Sequence, residues 1–197
     1  QDFKDGFIRL SLKSLDDRTP SLMPVPVITT GGVIHAIPGI DPRTAFFINN
    51  STPLDPVLGA DGKMVNTDPR DGLRVRSTAI GLEGQFKLAD GWSLSDKFRH
   101  ASNSGRFIAM FPADNGVPKA GGTSFTGTLF NTAIDDLGNT INDLKLSKTF
   151  GAPGERVTFT GGLFTSKQNV ALTWFWNQYN VEMKNSGAKS SFATAGW

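Results

Sequence analysis

The sequence predicts an all-β chain of antiparallel, up-and-down strands, and three observations carry that expectation. Apolar and polar residues alternate with a period of two in several runs, the mark of strands with two unlike faces. Asp-Gly and Gly-Ala-Pro-Gly combinations fall between those runs, where tight reversals need them. Gly at 22 and Pro at 11 of 197 residues favour turns and strands over helices.

The clearest element is a hairpin within residues 74–99. Ile80, Leu82, Gly84, Phe86 and Leu88 alternate with Gly81, Glu83, Gln85 and Lys87. Ala89-Asp90-Gly91 supplies the turn, because Asp-Gly tolerates the positive φ that short turns require. Beyond it Trp92, Leu94 and Phe98 oppose Ser93, Ser95, Lys97 and Arg99, with Asp96 as an exception on the apolar side. An earlier strand is expected from about Phe3 to Leu12, with Ile8, Leu10 and Leu12 on one face and a turn-rich exit at residues 15–20. A second hairpin pairs residues 143–150 with residues 157–164 across Gly151-Ala152-Pro153-Gly154.

Residues 19–70 carry eight prolines, which remove backbone donors, and the segment reads as one long irregular loop. Residues 113–139, rich in Gly, Thr and Asn, read as a second irregular region. In residues 169–184 the positions Leu172, Phe175, Trp176, Tyr179 and Met183 recur at helical spacing, so one short helix is expected there. The tail from Asn185 carries no pattern.

Two architectures use such hairpins. A soluble sandwich turns the apolar face to a core. An outer-membrane barrel turns it to lipid, with the polar face toward a wet lumen and long loops on the outer side. A connection of about 50 residues is foreign to a compact soluble domain and ordinary on a large membrane barrel. That asymmetry favours the barrel, with Arg9, Glu83, Lys97, Arg99 and Lys145 pointing into its lumen.

Composition narrows the chemistry. The net charge is +2 with Lys and Arg scattered, so the basic footprint of a nucleic-acid binder is missing. There is no cysteine, hence no disulfide framework and no thiolate chemistry. No apolar run reaches the length of a transmembrane helix, and the first ten residues lack the layout of a signal peptide. His35 and His100 have no metal-ligand spacing around them. Asp16-Asp17 and Asp135-Asp136 read as loop and cap residues, the Gly-Gly pairs lack the rest of a phosphate loop, and no serine sits in a nucleophile elbow. Neither an enzyme nor a cofactor is expected. Candidate ligand contacts are Trp174, Trp176 and Tyr179 as a stacking surface, with Arg43 in the proline-rich segment and Arg99 on the wall.

Taken in order, the phrases DGFIRLSLKSLDDRTPSLMPVPV (5–27), IDPRTAFF (40–47), DPRDGLRVRSTAIGLEGQFKLADGWSLSDKFRHASNSGRFIAMFP (68–112) and LKLSKTFGAPGERVTFTGGLF (144–164) resemble the barrel of TonB-dependent receptors. The resemblance spans nearly the whole chain. It implies the cell outer membrane and uptake of a scarce nutrient, a siderophore or an oligosaccharide, through a barrel of about 22 strands around a plug. The implied partners are outer-membrane lipid, the rest of the barrel, the plug domain, the TonB complex reached through that plug and an extracellular small-molecule ligand. The TonB box, the plug and a terminal barrel strand are not recognisable, and 197 residues supply only about five or six spanning strands. The chain therefore reads as residues 1–197 of a partial barrel, an internal piece. The alternative is a secreted, soluble β-sandwich that binds carbohydrate on Trp174, Trp176 and Tyr179.

Overall fold

A computed structural model describes residues 1–21, 27–59, 61–119, 122–152, 154–185 and 192–194. Most of the tail, which the sequence left without a pattern, lies outside the described residues, as do Pro24, Pro26 and Pro153. The chain is all-β. In order its strands are β1 (Asp2–Phe3), β2 (Gly6–Thr19), β3 (Val27–Thr30), β4 (Val33–Ala36), β5 (Asp55–Leu58), β6 (Met64–Thr67), β7 (Leu73–Lys87), β8 (Trp92–Pro112), β9 (Val117–Lys119), β10 (Gly122–Asp136), β11 (Asn139–Phe150), β12 (Val157–Gln168), β13 (Ala171–Met183) and β14 (Phe192–Thr194).

The main sheet follows the order β1-β2-β7-β8-β10-β13-β14. β8 also pairs with β11, β11 with β12, and β10 with β9, while β3-β4 and β5-β6 are separate two-stranded ribbons. β10 and β11 run one after the other along β8, and the neighbouring strands are antiparallel in an up-and-down arrangement. Among the described residues the ends of the strand order do not meet in a closed barrel. The chain divides into two compact units: residues Gln1–Asp16, Val75–Ser104 and Asp135–Ala171, and residues Asp17–Arg74, Gly105–Ile134 and Leu172–Trp197.

In the first unit the expected hairpin forms as read. Leu88 N donates to Trp92 O at 2.8 Å, and the turn holds Asp90 at φ 55° and Gly91 at φ 74°. The positive φ at Gly91 is required, and a Cβ there would stand 2.7 Å from Thr149 O. Gly91→Ala is therefore expected to lower stability by about 1–2 kcal/mol. Gly161→Ala, with open space around its would-be Cβ, is expected to change it by less than about 0.5 kcal/mol. Unfolding midpoints of the two variants, compared with the parent, check this pair.

The second hairpin also forms, with Phe150 opposite Val157 and Leu144 opposite Leu163. Its surroundings differ from expectation. β10 leads almost directly into β11, and β12 into β13, in place of long loops on each side. Four residues (135–138) lie against three (102–104), since Ile134 pairs with Gly105 and Asn139 with Ala101. That extra residue is a β-bulge. Asp136 secures it, accepting from Gly138 N at 2.6 Å and from Asn169 Nδ2 at 2.8 Å.

Three further expectations are corrected. β2 runs on to Thr19 instead of ending in a turn, and along it Asp16 pairs with Arg76 at 3.4 Å. Residues 122–136 form a strand and not irregular chain. Thr123, Phe125, Leu129, Asn131 and Ala133 are buried on one face, while Thr128, Phe130 and Thr132 lie opposite. The expected helix in residues 169–184 is strand β13. Tyr179, Val181 and Met183 turn inward and Leu172, Trp174 and Trp176 outward. Both faces are apolar, so the period of two was hidden, and the aromatic and β-branched content decides for a strand.

The buried core belongs to the second unit. Ile37, Ile40, Phe47 and Ile48 pack with Ile108, Met110, Phe125, Leu129, Val181 and Met183, and Phe47 meets Phe125 edge-on at 5.5 Å between centroids. The proline-rich segment is thus folded chain. Gly31-Gly32, both with positive φ, form the two-residue turn of the β3-β4 ribbon, and Gly62 (φ 76°) serves the β5-β6 ribbon. The prolines only keep these ribbons short.

Candidate functional site

In the second unit one buried carboxylate ties the long segment to the sheet. Asp55 is fully buried at the start of β5. Its Oδ1 accepts from Tyr179 OH and from Asn177 Nδ2, each at 2.6 Å. Its Oδ2 accepts from Asn131 Nδ2 at 2.6 Å. Asn131 Nδ2 also donates to Thr67 Oγ1, which in turn donates to Asp55 O at 3.0 Å. Arg106 reaches the cluster through Asn131 Oδ1 at 2.6 Å. Burying a carboxylate is costly unless donors surround it, and here three side chains from β10 and β13 do so.

A second tie lies at Asn185, whose Oδ1 accepts from Asp41 N at 2.6 Å while its Nδ2 donates to Gly39 O at 2.9 Å. Arg43 is strongly exposed and fastened to its neighbour Asp41 by two contacts of 3.0 Å. That hydrogen bond from Arg43 holds the Asp41 carboxyl below its usual range.

A third anchor is Asp68, which accepts from Arg70 Nε at 2.7 Å and from Arg70 N at 2.9 Å. The Arg70 side-chain hydrogen bond holds its carboxyl below the ordinary carboxylate range, against the opposing effect of partial burial. A depressed folded-state value stabilises above the unfolded value and loses that contribution as pH falls through the folded one. The stability gap between the parent and Asp68→Asn is therefore expected to be present at neutral pH. It should close as pH falls below about 4, as read from denaturation midpoints across pH.

Of the residues expected to contact a ligand, Trp174 and Trp176 come together and Tyr179 does not. The two indoles are 60% and 55% exposed with centroids 6.3 Å apart. Trp176 continues onto Phe130 at 5.1 Å, and Phe130 onto Phe111 at 5.0 Å. Tyr179 points to the opposite face, into the Asp55 cluster. What forms is an exposed aromatic ribbon across β8, β10 and β13. The Asp55 cluster itself escaped sequence reasoning, because nothing local distinguishes Asp55 from the other loop aspartates. Asn131 and Asn177 at inward strand positions were the available signal.

In the first unit the two faces of the sheet are sharply unlike. Across β8, β11 and β12 the aligned rows Leu94–Leu146–Gly161, Asp96–Leu144–Leu163 and Trp92–Lys148–Phe159 point one way. Asp96 is satisfied by Asn142 Nδ2 at 2.7 Å, and the Lys148 ammonium lies over the Trp92 ring at 5.2 Å. This apolar face is uncovered: Leu12 is 76% exposed, Phe159 66%, Leu10 64% and Leu163 63%. The only buried residues of the unit, among those described, are the small Ser77, Ala101 and Gly138.

The opposite face is mostly polar, with Ser147 and Thr160 hydroxyls 2.8 Å apart and those of Thr149 and Thr158 2.9 Å apart, while Ile141 and Phe164, aligned with Arg99 and Asp143, share it. Four of the five residues expected on that face, Arg9, Glu83, Lys97 and Arg99, line one hollow there. The fifth, Lys145, pairs with Asp143 at 2.5 Å. His100 Nδ1 lies 2.8 Å from Thr140 Oγ1, and His35 is exposed on β4. Among the described residues no group of three or more His, Asp or Glu side chains is placed to hold a metal ion. Comparison with protein-family models, with curated proteins and with solved structures returns no match for this chain.

Proposed function

We propose that this chain forms wall and extracellular loops of an outer-membrane, TonB-dependent transporter that takes up a scarce nutrient, a siderophore or an oligosaccharide. The supporting observation is the two-faced sheet of the first unit. Soluble monomers rarely expose a contiguous apolar patch above a few hundred Å², and here every large apolar side chain of the unit is at least partly exposed. The long strands that enter that unit, β2 (14 residues), β7 (15), β8 (21), β11 (12) and β12 (12), are each long enough to span. Spanning strands need about 9–11. Aromatic side chains gather at the turn end, where Phe150 meets Phe159 at 6.1 Å and Phe3 meets Phe86 at 6.3 Å, in keeping with an interfacial girdle.

The narrower assignment to TonB-dependent receptors rests on the sequence phrases quoted above. In this reading lipid covers the apolar face, the remaining barrel strands and a plug complete the channel, and the TonB complex acts through that plug. Trp174, Trp176, Arg43 and Arg99 stay candidate ligand contacts, and the wall carries no covalent chemistry.

The test is fluorescence of the complete barrel in which this reading places the chain, with Trp92 kept as its only tryptophan, refolded with vesicles whose acyl chains are brominated. Quenching of that emission, with heat-sensitive migration of the complete barrel in detergent gels, is the expected result. A chain that stays soluble without detergent and shows no quenching would overturn the reading and favour the soluble carbohydrate-binding module.

A further inference from the structure

We infer that the polar face of the first unit carries a groove for a small oligoanion, a solute bearing two or more carboxylates or phosphates. This deepens the transporter reading and rests on it for the route by which the anion arrives.

The groove follows from residue size. β7 lies between β2 and β8, and on the polar side it presents Ala79 and Gly81. The hydroxyl of Ser11 donates to Gly81 O at 3.4 Å, so β2 adds another small residue to the floor. Long side chains stand on both sides of that floor: Arg9 and Lys13 from β2, Lys97 and Arg99 from β8. The result is a hollow of about 480 Å³, room for a solute of several heavy atoms.

Charge selects the occupant. The hollow is lined by four cations and one carboxylate, Glu83, which is taken by Lys97 at 3.1 Å. Arg9 stacks its guanidinium over the Phe7 ring at 4.1 Å, which orients it while leaving its N–H donors free to bind. Among the described residues, neither Arg99 nor Lys13 has a carboxylate within ion-pair distance. Asp143, opposite Lys97 in register, is engaged by Lys145, and Asp16 by Arg76. Two strands apart, about 10 Å, the two cationic walls suit a solute with anionic groups at both ends better than a single monoanion. Guanidinium groups accept carboxylate or phosphate with paired hydrogen bonds.

The experiment is calorimetric titration of the full chain, folded in zwitterionic detergent at low ionic strength. Inorganic pyrophosphate and tricarballylate serve as the two probes, and sucrose as the neutral control. Salt-sensitive binding of at least one probe is expected, and the stronger of the two tells phosphate from carboxylate. Arg99→Gln and Lys13→Gln should each weaken it about fivefold, and Glu83→Gln should tighten it. Lys167→Gln, whose residue aligns with Thr140 on the other face, should change it less than about twofold. If Arg99→Gln loses its β-sheet dichroism, Arg99→Lys keeps the charge and should retain most of the affinity. Absence of binding by both probes, or a loss for Lys167→Gln equal to that for Arg99→Gln, would overturn the groove. Because the titration runs in detergent, its failure leaves the vesicle result untouched, and the reverse holds.

Discussion

Asp55→Ala is expected to lower stability by about 3 kcal/mol or more and to free the β5-β6 ribbon from the sheet. The substitution orphans the buried Tyr179 hydroxyl and takes one acceptor each from Asn131, which keeps Thr67 Oγ1, and Asn177, which keeps Pro56 O. An orphaned donor costs about 1–3 kcal/mol, and the lost carboxylate contacts and packing add to it. The donors all lie within 2.6 Å of the carboxylate oxygens they would lose. Asp55→Asn keeps the shape but turns an amide N–H₂ toward donors, so an intermediate loss of about 2 kcal/mol is expected. Hydrogen exchange localises the effect. Amides of Val57 and Thr67 should exchange faster, while those of Leu144 and Leu163 in the other unit keep their protection. A loss below about 1 kcal/mol would mean that apolar packing, not the carboxylate, holds the segment.

Leu163→Arg separates the two environments in which the apolar face could sit, because Leu163 lies midway along β12, away from the aromatic turn end. Facing lipid, an arginine there is expected to cost about 2–4 kcal/mol of insertion free energy. Facing water, a residue already 63% exposed should accept the change within about 0.5 kcal/mol. Thr160, on the other face and aligned with Ser147, supplies the control: Thr160→Arg should be near neutral in both cases. Refolding yield into vesicles against denaturant concentration measures all three proteins. Equal yields for Leu163→Arg and Thr160→Arg would remove lipid from the apolar face.

The two hairpins were legible because each has a polar face opposite an apolar one and a turn with its required glycine. Where both faces are apolar, as around Trp174, Trp176 and Val181, alternation vanishes and helical spacing looks as good. Where the outward face is threonine and the inward face includes Asn131, the pattern dissolves into apparent loop. Prolines misled differently. They marked the interruptions between ribbons, yet Ile37, Ile40, Phe47 and Val57 between them are buried. The turn residues Gly31-Gly32 and Asp61-Gly62 stand beside short apolar runs, a local signal of the ribbons that the prolines masked.

The sequence by itself determined what is local: strand periodicity, turn chemistry, which side chains share a face, and the absence of thiol chemistry. Those properties are set by φ, ψ and side-chain alternation over a few residues. Only the tertiary structure decided which face of each unit is covered, that the proline-rich segment packs as core, and that Asp55 and Tyr179 meet from 124 residues apart. Such facts depend on which distant segment lies against a given one, and an isolated stretch of alternating residues is equally content with a core, with lipid or with water until that neighbour is fixed.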